Sequence, residues 1–207
     1  MDAGGDAVLC ATRVASSWQR SGHCRRLADT GRGHVDLGRL REAVARCRTG
    51  LAALGVERGD RVVGYLPNIP EAVVAMLATA SLGAVWACCP PEFGPTAVTD
   101  RLAQIEPKVL ITVQGYVYGD KEIDRSAAVA AIRAGLPTVE HVVVVEYLDP
   151  NPPPAPTTAW ADLLSIPGEL AFEQVPFDHP LYVLFSWARA DCPKPSSMGT
   201  AASCSSM

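Results

Sequence analysis

Seven cysteines and four histidines are the side chains best suited to hold a metal or act as nucleophiles. The cysteines stand at positions 10, 24, 47, 88, 89, 192 and 204, an odd number with no repeating interval and no C-x-x-C pair. His23, His34, His141 and His179 are equally scattered. A zinc site would need distant pairs to converge, so no metal ligand is assigned. The same irregularity argues against a disulfide framework and for a reducing, cytoplasmic setting. Cys88 and Cys89 alternate along one apolar run, where cysteine acts as a small buried hydrophobe, not a nucleophile. His179 precedes Pro180 and is read as marking the entrance to a strand, not as a base. No G-x-G-x-x-G follows an apolar run, which removes the dinucleotide-binding fingerprint.

The chain that must position any site has 207 residues, 48% of them hydrophobic, enough for a sizeable core. Its 18 basic and 22 acidic residues leave a formal charge of −4, the wrong sign for general phosphate-backbone binding, so no nucleic-acid partner is expected. No uncharged apolar run reaches the ~18–20 residues of a membrane span; Ala72–Pro91 comes nearest and ends in Cys-Cys-Pro-Pro. Residues 1–50 carry nine arginines against five acids. That start reads either as a poorly ordered leader over 1–35 or as an organelle transit segment, which Asp2, Asp6, Asp29 and Asp36 interrupt.

From residue 36 the apolar pattern sharpens. Leu37, Leu40, Val44, Cys47, Leu51 and Leu54 recur at intervals of three and four, the period of one helical face, and Gly55 stands where a helix is closed. Arg61–Leu66 reads as a buried strand. Pro70 suits the first turn of a helix running through Glu71–Leu82, and Gly83 ends it. Ala84–Cys89 reads as a strand, Thr96–Ile105 as a helix, Val109–Val113 as a strand, Gly115–Gly119 as a loop and Ser126–Ala134 as a helix. His141–Tyr147, with four consecutive valines, reads as a strand covered on both faces. Asp149–Thr158 holds five prolines and reads as an extended linker. Ala159–Leu164 is a short helix, and Leu181–Phe185 a last buried strand.

Alternation of strand and helix predicts an α/β fold, a mostly parallel sheet with flanking helices. Its domains are expected at 36–148 for an α/β subdomain, 149–158 for the linker and 159–186 for the start of the next subdomain. In a doubly wound sheet the site lies beyond the C-terminal strand ends. The loops after Val113 and after Phe185 answer to that description.

Several stretches then carry a resemblance. G-V-E-R-G-D-R-V-V-G-Y-L-P-N-I-P-E-A-V-V-A-M-L-A-T-A-S-L-G-A-V-W (Gly55–Trp86), C-P-P-E-F-G (Cys89–Gly94), Q-I-E-P-K-V-L (Gln104–Leu110), G-Y-V-Y-G-D-K (Gly115–Lys121) and F-D-H-P-L-Y-V-L-F-S (Phe177–Ser186) follow one another in order. Together they resemble the N-terminal part of adenylate-forming acyl-CoA synthetases, most of all the acetoacetyl-CoA synthetase branch. The resemblance implies the N-terminal domain of the adenylate-forming ligase fold. It also implies a reaction in which a carboxylate and ATP give an acyl-adenylate that passes its acyl group to coenzyme A, with Mg²⁺ as cofactor. Tyr118, Gly119, Asp120 and Lys121 align with the stretch that contacts the phosphates of coenzyme A in such enzymes. Relatives often carry arginine where Tyr118 stands, so the transfer is safest for Lys121.

The resemblance places an ATP phosphate loop, S-S-G-T-[ST]-G-L-P-K, at Ser186. In such loops small residues let backbone N–H groups and hydroxyls surround phosphate while lysine adds charge. This chain has S-W-A-R-A-D-C-P-K (Ser186–Lys194), keeping Ser186, Pro193 and Lys194 of that pattern. Trp187 would fill the phosphate's space and Asp191 would repel it.

A missing nucleotide after Ser186 would make residues 187–207 an aberrant tail. With permissible codons the tail re-reads as G-T-S-G-L-P-K-A-I-V-H-G-H-G-G-I-L-L-E-H, the absent loop and its continuation. The adenine pocket, the magnesium-binding acid and the transfer lysine belong, by resemblance, to later parts of the family's chain. The expectation is an N-terminal part of an acetoacetate–CoA ligase with no catalytic residue of its own and no productive cofactor binding, self-associating through apolar surface. The alternative is a non-catalytic α/β module that binds nucleotide or coenzyme A or serves as an interaction domain.

Overall fold

The computed structural model describes residues 37–119, 121–148 and 156–185, and residues 195–199 as backbone. Helix α1 (Leu37–Ala53) precedes strand β1 (Arg61–Tyr65), helix α2 (Pro70–Ser81), strand β2 (Val85–Cys89) and helix α3 (Pro95–Leu102) with its 3₁₀ extension Ala103–Ile105. Then come β3 (Val109–Val113), β4 (Gly115–Tyr118), β5 (Lys121–Asp124), α4 (Ser126–Gly135), β6 (His141–Val145), β7 (Thr158–Ala159), α5 (Trp160–Leu163), β8 (Pro180–Phe185) and β9 (Pro195–Gly199).

Seven strands form one sheet in the order β7-β6-β3-β1-β2-β8-β9, in which all neighbours but β8 and β9 run parallel. The expected α/β architecture is therefore the observed one. The strands alternate their side chains between two cores. Val62, Trp86, Val109, Ile111, Val143 and Val145 pack with Val44, Cys47, Leu51, Val74 and Ala78 of α1 and α2, and with Leu163 of α5. Val63, Tyr65, Leu110, Val142, Val144 and Val183 pack with Val98 and Leu102 of α3 and Ile132 of α4. Burial on both faces explains why β3 and β6 read as unbroken apolar runs.

Direction and face are coupled. The steps β1→β2 and β7→β8 move one way along the sheet over the first face; β2→β3 and β3→β6 move the other way over the second. A constant crossover hand requires that coupling. It makes β1 and β3 neighbours whose chains depart in opposite directions, which opens the crevice at their C-terminal ends.

Four readings need correction. Leu181–Phe185 is a strand but not a buried one: only Val183 is buried and Leu184 is 53% exposed, because β8 pairs with β2 only at Tyr182 and Val183. Gly115–Gly119 is not a loop: Gly115–Tyr118 pairs antiparallel with Lys121–Asp124 as a hairpin. Cys88 is exposed while Cys89 is buried: both still pair with β1, but the pairing of β2 with β8 ends at Ala87. The strand read through Tyr147 stops at Val145, and Thr158, placed in the linker, belongs to β7. That two-residue strand gains its structure from the edge of β6 rather than from its own sequence.

Gly64 shows how tightly the first core is closed. A Cβ there would stand 2.9 Å from two ring carbons of Trp86 and 3.1 Å from Cys88 Sγ. The Trp86 ring is rigid and buried, so it cannot swing aside. We expect Gly64→Ala to lower unfolding stability by about 1–3 kcal/mol, the usual cost of overpacking. Urea midpoints of the two proteins at equal cooperativity measure it; an unchanged midpoint would show that Trp86 has room to move.

Candidate functional site

Three segments meet where β1, β2 and β3 end. Tyr65, the last residue of β1, lies in register between Cys89 of β2 and Thr112 of β3. Its ring is fully buried, and its hydroxyl stands 2.9 Å from both Pro91 O and Phe93 O. The single phenolic proton is donated into that carbonyl pair, which fastens the segment after β2 to the sheet. Burial raises the Tyr65 pKa, so the hydroxyl keeps its proton at neutral pH and cannot serve as a phenolate. Arg101 stands over the Phe93 ring at 5.5 Å and braces the same segment from α3.

After β3 the chain turns directly into the β4–β5 hairpin. Tyr118 and Lys121 are the last cross-strand pair, and Gly119 opens the turn after Tyr118. Gly119 has φ +59°, in the left-handed region that such a turn asks of its first residue and that glycine adopts at least cost. Tyr118 is 68% exposed and Lys121 is also exposed, which sets an aromatic ring and an ammonium group side by side at the tip.

The hairpin's other end is fixed. Arg125 N donates to Gln114 O at 2.7 Å. The Asp124 carboxylate accepts hydrogen bonds from Ser126 N at 3.0 Å and Ser126 Oγ at 2.7 Å. These bonds hold the Asp124 carboxyl below its ordinary range, the Ser126 hydroxyl contributing most. A depressed carboxylate stabilises the fold above its unfolded pKa and loses that contribution as pH falls through the folded value.

Of the residues singled out from sequence, the structure thus places Tyr118, Gly119 and Lys121 together at the hairpin tip. Asp120, Ser186 and Lys194 lie outside the described residues. His179 Nε2 is 2.7 Å from Gly83 O; since a carbonyl only accepts, that nitrogen carries hydrogen and pins the entry to β8. Burial pushes the Cys47 thiol up to about 12 and the Cys89 thiol up to about 11, values that leave essentially no thiolate at neutral pH. Among the described residues, no group of three or more His, Cys, Asp or Glu side chains could hold a metal ion, and no helix is long and apolar enough to cross a membrane.

Sequence reasoning missed Tyr65 and Arg125. Tyr65 sits inside a run that reads only as strand, and Arg125 meets its partner across a hairpin taken for a loop. The signal that could have found the hairpin was present: Gly119-Asp120 between Y-V-Y and K-E-I.

Comparison with known proteins agrees with this geometry. Residues 17–186 match the family described as AMP-binding enzyme. The acetoacetyl-CoA synthetase of Mus musculus is 39% identical over 165 residues, covering 75% of this chain and 25% of the relative. That of Rhizobium meliloti is 42% identical over 163 residues, covering 75% and 24%. The malonamoyl-CoA synthetase vrtB of Penicillium aethiopicum is 39% identical over 166 residues, covering 75% and 23%. The solved acetoacetyl-CoA synthetase from Streptomyces lividans superposes with a TM-score of 0.79 at 48% identity, over 82% of this chain and 26% of that one. The chain thus spans about a quarter of the length of these relatives. With a family match over residues 17–186 and a solved relative that superposes at 48% identity, this chain belongs to the AMP-binding enzyme family.

Proposed function

We propose that this chain carries the N-terminal part of an ATP-dependent acid–CoA ligase that converts acetoacetate, ATP and coenzyme A to acetoacetyl-CoA, AMP and pyrophosphate. We further propose that the 207-residue polypeptide does not itself turn over. The observation that carries the reading is the 48% identity to an acetoacetyl-CoA synthetase over a shared sheet. Acetoacetate is chosen because animal and bacterial relatives with that name reach 39–42% identity. The malonamoyl-CoA relative at 39% shows that a different acid accompanies a similar N-terminal segment. Cytoplasmic residence and the division into subdomains at 36–148 and 159–186 are part of the same proposal.

The residues present fit one group and not another. At the hairpin tip, Lys121 would meet a phosphate of coenzyme A and the exposed ring of Tyr118 would lie beside its base; the coenzyme supplies the thiol that accepts the acyl group. Ser186–Lys194 would not fit the triphosphate of ATP, since Trp187 and Asp191 replace the small residues of the family's pattern. An intact hairpin together with an altered loop sequence favours a second reading for this polypeptide, coenzyme A binding without turnover.

Titration with coenzyme A and with 3′,5′-ADP tests the site. We expect weak, salt-sensitive binding that Lys121→Ala weakens about three- to tenfold, as for one exposed charge-assisted contact. Equal affinity of parent and variant would remove Lys121 from the site. Release of pyrophosphate by the protein made after restoring the reading frame, tested with acetoacetate and malonamate side by side, decides the acid. No release with either acid would overturn the ligase reading.

A further inference from the structure

Arg125 holds a place that neither the fold nor the family accounts for. It follows β5, and its Nη2 donates to the hydroxyl of Tyr116 on β4 at 3.3 Å. Its guanidinium carbon lies over the same ring, 5.4 Å from the centroid. One arginine thus grips both the face and the hydroxyl of a tyrosine on the opposite strand of the hairpin. Tyr116 is itself buried, so the grip joins the hairpin to the sheet end and not to solvent.

The surroundings extend the grip to the neighbouring segment. The Tyr65 hydroxyl and the Glu92 carboxylate lie within electrostatic range of the guanidinium, and Tyr65 is the residue that fastens Pro91 and Phe93. Two tyrosines therefore meet one cation, one holding the segment after β2 and the other the hairpin after β3.

This grip is not the cheapest way to build the fold. Among the described residues, Arg125 Nε and Gln114 Oε1 are buried without hydrogen-bond partners. Unmet buried donors and acceptors reduce stability, so stability alone does not explain an arginine here.

We propose that Arg125 is a positioning residue: its guanidinium, stacked on Tyr116 and bonded to the tyrosine hydroxyl, fixes the angle at which the β4–β5 hairpin stands over the crevice between β1 and β3. The consequence for ligand rests on the reading of the tip as a coenzyme A contact. Lys121 and Tyr118 sit four and seven residues along the chain from Arg125, on a two-stranded ribbon of marginal stability by itself. A tip held at one angle presents its charge and ring without the ordering cost that a swinging hairpin would add to binding.

The test compares the full 207-residue chain with its Arg125→Ala, Arg125→Lys and Tyr116→Phe variants by amide hydrogen exchange resolved by residue. Amides of β4 and β5 report the hairpin; those of β3 and β6 report the fold. We expect Arg125→Ala to speed hairpin exchange about tenfold, the scale of losing one cation–π contact with its hydrogen bond, while β3 and β6 stay protected. Arg125→Lys keeps charge over the ring, Tyr116→Phe keeps the stack without the hydroxyl, and each should fall between parent and alanine. Hairpin exchange in Arg125→Ala within twofold of the parent would overturn the proposal. Should Arg125→Ala loosen the whole fold, the two milder variants decide: both must speed the hairpin alone, and equal acceleration in β3 and β6 would refute a positioning role.

Coenzyme A titration of the same four proteins separates this idea from the ligand reading. The alanine variant should bind several-fold more weakly, with Arg125→Lys recovering part of the loss. A parent that does not bind coenzyme A removes the ligand reading and leaves the exchange comparison to decide Arg125.

Discussion

Acetoacetate-dependent exchange between ATP and pyrophosphate is expected to be indistinguishable from a no-protein blank for the 207-residue chain. In adenylate formation the substrate carboxylate attacks the α-phosphorus itself, so rate comes from positioned donors around the phosphates and not from a base or nucleophile of the protein. The donors that the family's loop would supply are replaced here by Trp187, Arg189 and Asp191. Loss of even one preorganised donor lowers rates by about 10²–10³ in comparable sites, and here nearly the whole set has changed. Grafting S-S-G-T-S-G-L-P-K onto this polypeptide should not recover exchange, because by resemblance the adenine, magnesium and transfer groups belong to later parts of the family's chain. Restoring the frame through the full coding sequence should recover it. Exchange above blank by residues 1–207 would show that the altered loop is competent.

Self-association is the second large effect expected of the purified chain. Phe177 is 79% and Leu184 53% exposed, on and just before β8. The relatives are about three times as long as this chain; by resemblance more of the family's chain follows this strand, and its apolar residues would find cover there. Apolar surface exposed beside a strand invites contact with a second copy. Elution well above the monomer position at tens of micromolar, shifting toward monomer on dilution, is the expected result, with Leu184→Lys and Phe177→Ser together restoring the monomer. A concentration-independent monomer with a sharp cooperative melt would contradict it.

Where local chemistry determines an element, the sequence was enough to find it. Pro70 opens α2 because a first-turn residue needs no N–H partner. Gly55 and Gly83 take positive φ after α1 and α2 as closing glycines should. The four valines of β6 are buried because helices cover both faces of the sheet. The misses share a different cause: each depends on a contact made with another element, not on the residue's own type. β7 exists only against β6, Cys88 lies past the last residue of β2 that pairs with β8, and Arg125 finds Tyr116 only once the hairpin has closed. For the site, sequence indicated the tip residues Tyr118, Gly119 and Lys121 by resemblance. It was silent on Tyr65 and Arg125, whose roles lie in contacts and not in type.

The residues after Ser186 are expected to be a displaced reading of a phosphate loop. Trp187 has the single codon TGG, and the alanine codon after it makes the compensating frame read glycine; Met198 before Gly199 forces another. Sequencing the coding DNA across the Ser186 codon, from independent clones, measures this directly. The predicted result is that one nucleotide inserted there opens a frame encoding G-T-S-G-L-P-K and continuing without a stop beyond the point where the present frame reaches Met207. Nucleotides whose compensating frame lacks that loop, or meets a stop within the tail, would contradict the claim.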